Sequence, residues 1–293
     1  MKVVEALKLY GNYQRNMLNR SENTITSYAS DIKLYFENVG ENLETTQTQA
    51  EKYFSMLAQQ GISATSRNRK ITALKMFYGW LCDNGYVGEN PMLHIAKPKN
   101  PQKKVKVIGS EGTENLFTAL RESKKNVDYF RNLALIYTLI STGIRREELT
   151  NIKLNDVNLA ESSILITGKG NKQRIVYFNG TAKALLSEYL ASHRAILKYA
   201  EQSEYLFLSN CSPKMSTRTV NRIVDDVFTR AGIKEQGRSV HALRKVFATT
   251  IYKATKDIVV VQNLLGHESP QTTMRYIGID ESAKRQAVQN INF

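Results

Sequence analysis

Residues 162–178, SSILITGKGNKQRIVYF, decide the class of fold. Two short runs rich in isoleucine, valine and aromatics flank the turn GKGN, the pattern of a β-hairpin with strands at 163–167 and 173–178. No other part of the chain carries so clear a β signal. Immediately upstream, NVDYFRNLALIYTLIST is apolar nearly all round and reads as a buried core helix near 126–141. Further helices are expected near 110–121, 181–200, 216–231, 239–254, 257–265, 270–277 and 281–290. The carboxy-terminal part is therefore mainly α with a small antiparallel sheet.

Further out, the first hundred residues read as four helices. Val4, Leu7, Tyr10 and Leu18 mark a first apolar stripe. Ser21 offers a cap to a second helix carrying Ile25, Tyr28, Ile32, Tyr35 and Phe36. A third covers about 47–60 and stops at Gly61. The fourth runs from about Ser63 to Asp83, with Ile71, Leu74, Phe77, Tyr78 and Leu81 on one face and Arg67, Arg69, Lys70 and Lys75 towards its start. Those four cations are candidates for gripping a polyanion, or a solvated face on a packing helix. Between the halves, AKPKNPQKKVKV (96–107) holds two prolines and five lysines and reads as an extended linker. The expected organisation is a helical domain at 1–97, a basic linker at 98–107 that includes Lys103 and Lys104, and a second domain at 108–293.

The chain has 293 residues and a formal net charge of +14. That excess favours nucleic acid as a partner. It is uneven: the balance is +2 over 1–97 and +8 over 108–293, and 98–107 adds four lysines and no acid. No run of about 18 apolar residues marks a membrane span. The start, MKVVEALKLYGNYQRN, is charged and amphipathic, unlike a signal peptide. Two distant cysteines, Cys82 and Cys211, argue for no disulfide framework and a reducing, cytoplasmic setting. Four histidines and two cysteines with no close ligand spacing give no structural zinc motif.

Six residues carry candidate chemistry: Arg145, Lys169, His241, Arg244, His267 and Tyr276. In STGIRREEL, Gly143 permits a sharp turn into a helix that is expected to carry Arg145 and Glu148 one turn apart. Neighbouring helical residues diverge by about 100°, so Arg145 and Arg146 do not face one pocket. Lys169 sits at the hairpin tip, with Lys172 as its rival. HALR places His241 and Arg244 at i and i+3 on one helix face, and Ser239 is a candidate cap. LLGHESP ends a helix at Gly266 and exposes His267 in a turn. Tyr276 falls in a short helix that ends at Gly278. Taken singly, each residue reads as an ordinary surface cation or core aromatic. As a set they suit a tyrosine oxygen attacking a phosphodiester whose growing charge is neutralised without a metal.

These pieces together resemble the tyrosine recombinase (lambda-integrase-like) family, and within it the Xer-type site-specific recombinases. The pattern TG-x-R-x-x-EL is met by Thr142, Gly143, Arg145, Glu148 and Leu149. Lys169 in GKGNKQR meets the hairpin lysine, and His241 and Arg244 meet H-x-x-R. LGH falls at 265–267, with the nucleophile position nine residues later at Tyr276. The resemblance spans nearly the whole chain. It implies a SAM-like core-binding domain and a catalytic domain that form a C-shaped clamp on double-stranded DNA at a specific recombination site.

The resemblance also implies roles. Tyr276 attacks the scissile phosphate, Arg145 and Arg244 hold its oxygens, His241 serves as base and Lys169 as general acid. His267 hydrogen-bonds the phosphate, and Glu148 braces the basic cluster. Arg67, Arg69, Lys70, Lys75, Lys103, Lys104 and Lys172 are the candidate DNA contacts. No cofactor, metal or ATP is expected. The implied assembly is monomeric in solution and tetrameric on DNA, with itself or with a paralogue, residues 281–293 reaching into a neighbour or packing on their own domain. A nucleoid location and chromosome or plasmid dimer resolution, or mobile-element integration and excision, follow as expectations. A type IB topoisomerase uses nearly the same chemistry, and a catalytically silent DNA-binding regulator would need neither Tyr276 nor Lys169.

Overall fold

The computed structural model describes residues 1–99, 108–122, 127–233, 239–266, 273–274 and 289. The chain divides into two compact units, Met1–Lys103 and Lys104–Phe293.

The first unit is helical: α1 (Val3–Asn16), α2 (Glu22–Val39), α3 (Gln47–Gln59) and α4 (Ala64–Asp83). Each of the last three starts where a hydroxyl takes an otherwise unpaired backbone N–H. Ser21 accepts from Thr24, Thr46 from Gln49 and Ser63 from Ser66. Thr46 and Gln49 close a reciprocal capping box. The buried stripe of α1 is Val3, Ala6, Tyr10 and Gln14, whereas Val4 is 75% exposed and Leu18 is also exposed. The expected stripe was thus correct at Tyr10 and one residue out at its start. Alanine at position 6 lets the helix approach closely, and an apolar count passes over that contact.

The core of this unit is largely aromatic. Tyr10 meets Phe77 edge-on with centroids 5.2 Å apart, and Tyr35 meets Tyr53 at 5.0 Å. Buried phenols need partners: Tyr35 donates to Thr45 Oγ1 at 3.1 Å, and the Tyr78 hydroxyl lies 2.7 Å from the same oxygen.

The second unit runs α5 (Ser110–Arg121), α6 (Val127–Thr142), α7 (Arg146–Asn151), β1 (Val157–Asn158), β2 (Ser163–Thr167), β3 (Gln173–Tyr177), α8 (Gly180–Glu188), α9 (Thr217–Arg230), α10 (Val240–Thr255) and α11 (Ile258–Leu265). The three strands form one antiparallel sheet in the order β1-β2-β3. Ser163 pairs with Tyr177 and Thr167 with Gln173, as a hairpin around GKGN requires. The turn closes with Gly168 N–H donating to Lys172 O at 2.8 Å, and Gly170 and Asn171 adopt positive φ.

Helix α6 lies in the core, with Leu133, Ala134, Leu135, Ile136 and Leu139 buried. Helix α8 is shorter than the expected 181–200. It passes into a π-helical turn at Tyr189–His193, after which the chain is irregular. There the buried Arg194 donates to the carbonyls of Ala200, Ser203, Tyr205 and Leu206, which holds the non-helical segment in place. The helices expected near 270–277 and 281–290 lie outside the described residues, apart from 273–274 and 289. Among the described residues no helix is long and apolar enough to cross a membrane.

Candidate active site

Arg145 is not inside a helix, as its sequence suggested. It is the extended residue just before α7, with φ −76° and ψ 152°. The cause is Gly143, whose φ of +62° turns the chain sharply out of α6. A Cβ on Gly143 would run into the ring of Phe247, so the turn is pressed against α10 and tolerates no side chain. Glu148 then folds back on Arg145. Its Oε2 accepts the Arg145 backbone N–H at 2.7 Å and its Oε1 pairs with Arg145 Nη1 at 2.9 Å. The acidic residue of the motif thus fixes both the backbone and the side chain of the arginine.

Glu148 is 5% exposed. Burial alone raises a carboxyl's pKa, but here it is outweighed by hydrogen bonds from Arg174 and from the Arg145 backbone and by the two guanidinium charges. Together these hold Glu148 down at about 2.

Helix α10 supplies the next two groups. Ser239 Oγ accepts the backbone N–H of His241 at 3.3 Å and so starts the helix there. Arg244, one turn on, is 2% exposed. Its Nη1 donates to Gly143 O, and its Nη2 to Leu265 O at 2.6 Å. Both acceptors lie in chain reversals, the Gly143 turn and the left-handed cap of α11 at Gly266.

Arg145, His241 and Arg244 line one open cleft of about 390 Å³, together with Ile144, Arg146, Glu147, Asn221, Ser239 and Val240. Partial burial, followed by the charges of Lys245, Arg244 and Arg145, pushes the His241 imidazole below its ordinary range. At pH 7 it is neutral and able to accept a proton. No described tyrosine lines the cleft. Several of the others are core phenols: burial raises Tyr10, Tyr53 and Tyr189 to about 12, which makes them harder to ionise.

The two remaining members, His267 and Tyr276, lie outside the described residues, as do Lys103, Lys104 and the side chain of Lys169. The backbone of Lys169 begins a 3₁₀ turn at Lys169–Asn171 at the hairpin tip, and Lys172 is exposed beside it. The fourth-helix cations differ from one another. Lys70 is 8% exposed and pairs with the buried Asp31 at 2.7 Å, so its charge is used inside the unit. Arg69 shares that carboxylate at 3.0 Å and also donates to Ser27. Lys75 Nζ donates to Leu93 O at 2.9 Å, and Arg67 is half-buried. The basic stretch is thus partly internal rather than a uniformly solvated face.

The sequence reading passed over Arg174 and Asn221. Arg174 carried a legible signal: it occupies the inward register of β3, opposite Ile166, where the neighbouring inward residues are Ile164 and Val176. A cation at such a position needs a carboxylate partner, and Glu148 is that partner at 2.8 and 3.0 Å. Asn221 gave no comparable signal.

Residues 106–282 match the model of the phage integrase family, and residues 7–85 match that family's N-terminal SAM-like domain. The chain belongs to the phage integrase family. It is a tyrosine recombinase, similar to Tyrosine recombinase XerC of Leptospira interrogans at 33% identity, over 94% of this chain and 89% of that protein. It resembles Tyrosine recombinase XerC of Listeria welshimeri at 31%, over 90% of each. Among solved structures of recombinases, that of XerA is 28% identical, with a TM-score of 0.56 and 99% of both chains covered. XerH bound to palindromic difH substrate in a post-cleavage complex has a TM-score of 0.75 at 22% identity, over 97% of this chain and 83% of that one. A lambda integrase dimer bound to a COC' core site has a TM-score of 0.76 at 18% identity, over 96% and 98%. The last two are likenesses of fold.

Proposed function

We propose that this recombinase cleaves and rejoins double-stranded DNA at a specific site through a covalent 3′-phosphotyrosine. The observation that carries this reading is the convergence of Arg145, His241 and Arg244, from segments a hundred residues apart, on one cleft. Two guanidinium groups and an imidazole on one cleft suit a phosphodiester in transfer. Each planar guanidinium matches two phosphate oxygens, and both stabilise the charge of the transition state.

In the proposed reaction the Tyr276 oxygen bonds to phosphorus and its proton passes to His241. The bond from phosphorus to the 5′-oxygen breaks, and Lys169 protonates the departing oxygen to give a 5′-hydroxyl. His267 donates to a phosphate oxygen. The phosphotyrosine conserves the energy of the phosphodiester, so attack by a 5′-hydroxyl from another duplex completes strand exchange without ATP, by way of a Holliday junction. Four protomers, or two pairs of paralogues, act together on DNA, with residues 281–293 joining neighbours. Arg67, Arg69, Lys103, Lys104 and Lys172 contact the DNA backbone, and the protein is associated with the nucleoid. The XerH structure is a post-cleavage complex with difH substrate and the lambda integrase dimer is bound to core-site DNA, which supports this reading for a chain of the same fold.

The test is incubation in EDTA with nicked duplexes first selected by binding from genomic DNA of the source cell. An adduct that survives denaturant and is absent with Tyr276→Phe is the expected result. Selective binding with no adduct from the wild-type protein would overturn the reading.

A further inference from the structure

Arg174 stands where three parts of the site meet. Through Nη1 and Nη2 it holds both oxygens of Glu148, at 3.0 and 2.8 Å, and Glu148 in turn fixes Arg145. A methyl group on Gly266 would lie 2.9 Å from Arg174 Cδ and Nε, so the turn after Leu265 rests directly on the arginine stem. That turn carries the carbonyl that holds Arg244. A methyl group on Gly168, which precedes Lys169, would lie 3.5 Å from Glu148 Oε1 and 3.6 Å from Arg174 Nη1. The hairpin tip therefore starts against the same ion pair. One side chain thus touches the acid that braces Arg145, the start of the lysine turn and the residue before His267.

The charges give this contact a chemical consequence. A buried carboxylate facing Arg145 alone would cancel the charge that the phosphate needs. With two guanidinium groups on Glu148, the cluster keeps a net positive charge and Arg145 stays pre-organised. We infer that Arg174 is a positioning residue for strand cleavage, occupying Glu148 so that Arg145 keeps its charge for the scissile phosphate. The inference rests on the function proposed above.

The experiment uses the full-length protein and the nicked site duplex, with the scissile phosphate either native or replaced by a neutral methylphosphonate. Adduct formation is followed in single turnover at saturating protein, and Kd and Tm are measured alongside. Arg174→Met should slow cleavage of the native phosphate about 10- to 100-fold, within the range of coupling between members of one salt-bridge network, while Kd stays within about threefold. The neutral substrate, which needs less positive charge, should lose much less. Adding Glu148→Gln to Arg174→Met should restore about 10-fold on the native phosphate, since the uncompensated acid is gone. Arg174→Lys, which keeps the charge but not the two-pronged geometry, should fall between wild type and Arg174→Met and covers the case in which Arg174→Met does not fold.

An unchanged rate in Arg174→Met overturns the inference. Equal losses on both substrates with no recovery in the double variant also overturn it, because a merely structural role predicts that pattern. Absence of any adduct from the wild-type protein overturns the functional reading and this inference with it. An adduct from the wild-type protein confines any failure to Arg174.

Discussion

The guanidinium of Arg244 donates through Nη2 to the carbonyl oxygen of Leu265 at 2.6 Å while Nη1 reaches Gly143 O. One buried side chain therefore ties the turn before Arg145 to the turn before His267. The same group that lines the cleft also holds two chain reversals against α10. Lysine keeps the charge but supplies no pair of fixed donors. Arg244→Lys is expected to lower the cleavage rate about 100-fold or more and to lower Tm. The rate comes from single-turnover adduct formation and Tm from calorimetry. A Tm equal to wild type would show that the two carbonyl contacts carry no stability.

Glu148 makes acid stability a property of the site. Its pKa is depressed from an ordinary value near 4.3 to about 2. The stabilisation is therefore fully present above the unfolded value and is lost as pH falls through about 2. The shift corresponds to about 3 kcal/mol at neutral pH. Glu148→Gln is expected to lose stability of that order at pH 7 and to show a flatter dependence of unfolding free energy between pH 5 and 2. Urea unfolding at several pH values checks both. Parallel curves for the two proteins would contradict the assignment.

His241 is pushed below its ordinary range, so it remains a base at more acidic pH than free imidazole. The acid limb of the cleavage rate should therefore fall below pH 6.5. Lys245 is the largest charge acting on it. Lys245→Gln removes a cation that disfavours imidazolium, so the folded pKa rises and the acid limb moves up by a fraction of a pH unit. A pH–rate profile of adduct formation measures this. A shift in the other direction would remove His241 from the role of base.

The Lys70–Asp31 pair concerns the amino-terminal unit. Both side chains are buried, and Arg69 shares the carboxylate. Breaking a buried pair from one side leaves an unpaired charge and costs about 3–5 kcal/mol. Asp31→Ala is expected to show that loss in denaturant unfolding. Lys70→Met, which leaves Asp31 with Arg69, should cost less and leave unchanged the slope of log Kd for DNA against log salt. A slope reduced by about one would mean that Lys70 neutralises a phosphate.

The periodicity of Ile71, Leu74, Phe77, Tyr78 and Leu81 determined α4, because residues at i, i+3 and i+4 share a face whatever else the chain does. The alternation in 163–167 and 173–177 around GKGN determined the hairpin for the same local reason. Motif order was equally legible: TG-x-R-x-x-EL, GKGNK, H-x-x-R and LGH stand in the sequence as short covalent strings. Three matters needed the tertiary structure. Arg145 precedes α7 rather than lying within it, because Gly143 packs against Phe247 and Glu148 caps from three residues on. Lys70 is buried rather than solvated, because Asp31 on α2 lies opposite it. Arg174 on β3 meets Glu148 on α7, an acid 26 residues away in sequence, because the sheet packs against that helix. Local pattern records which face a residue occupies, whereas charge compensation depends on what meets that face, and that is decided by contacts between segments distant in the chain.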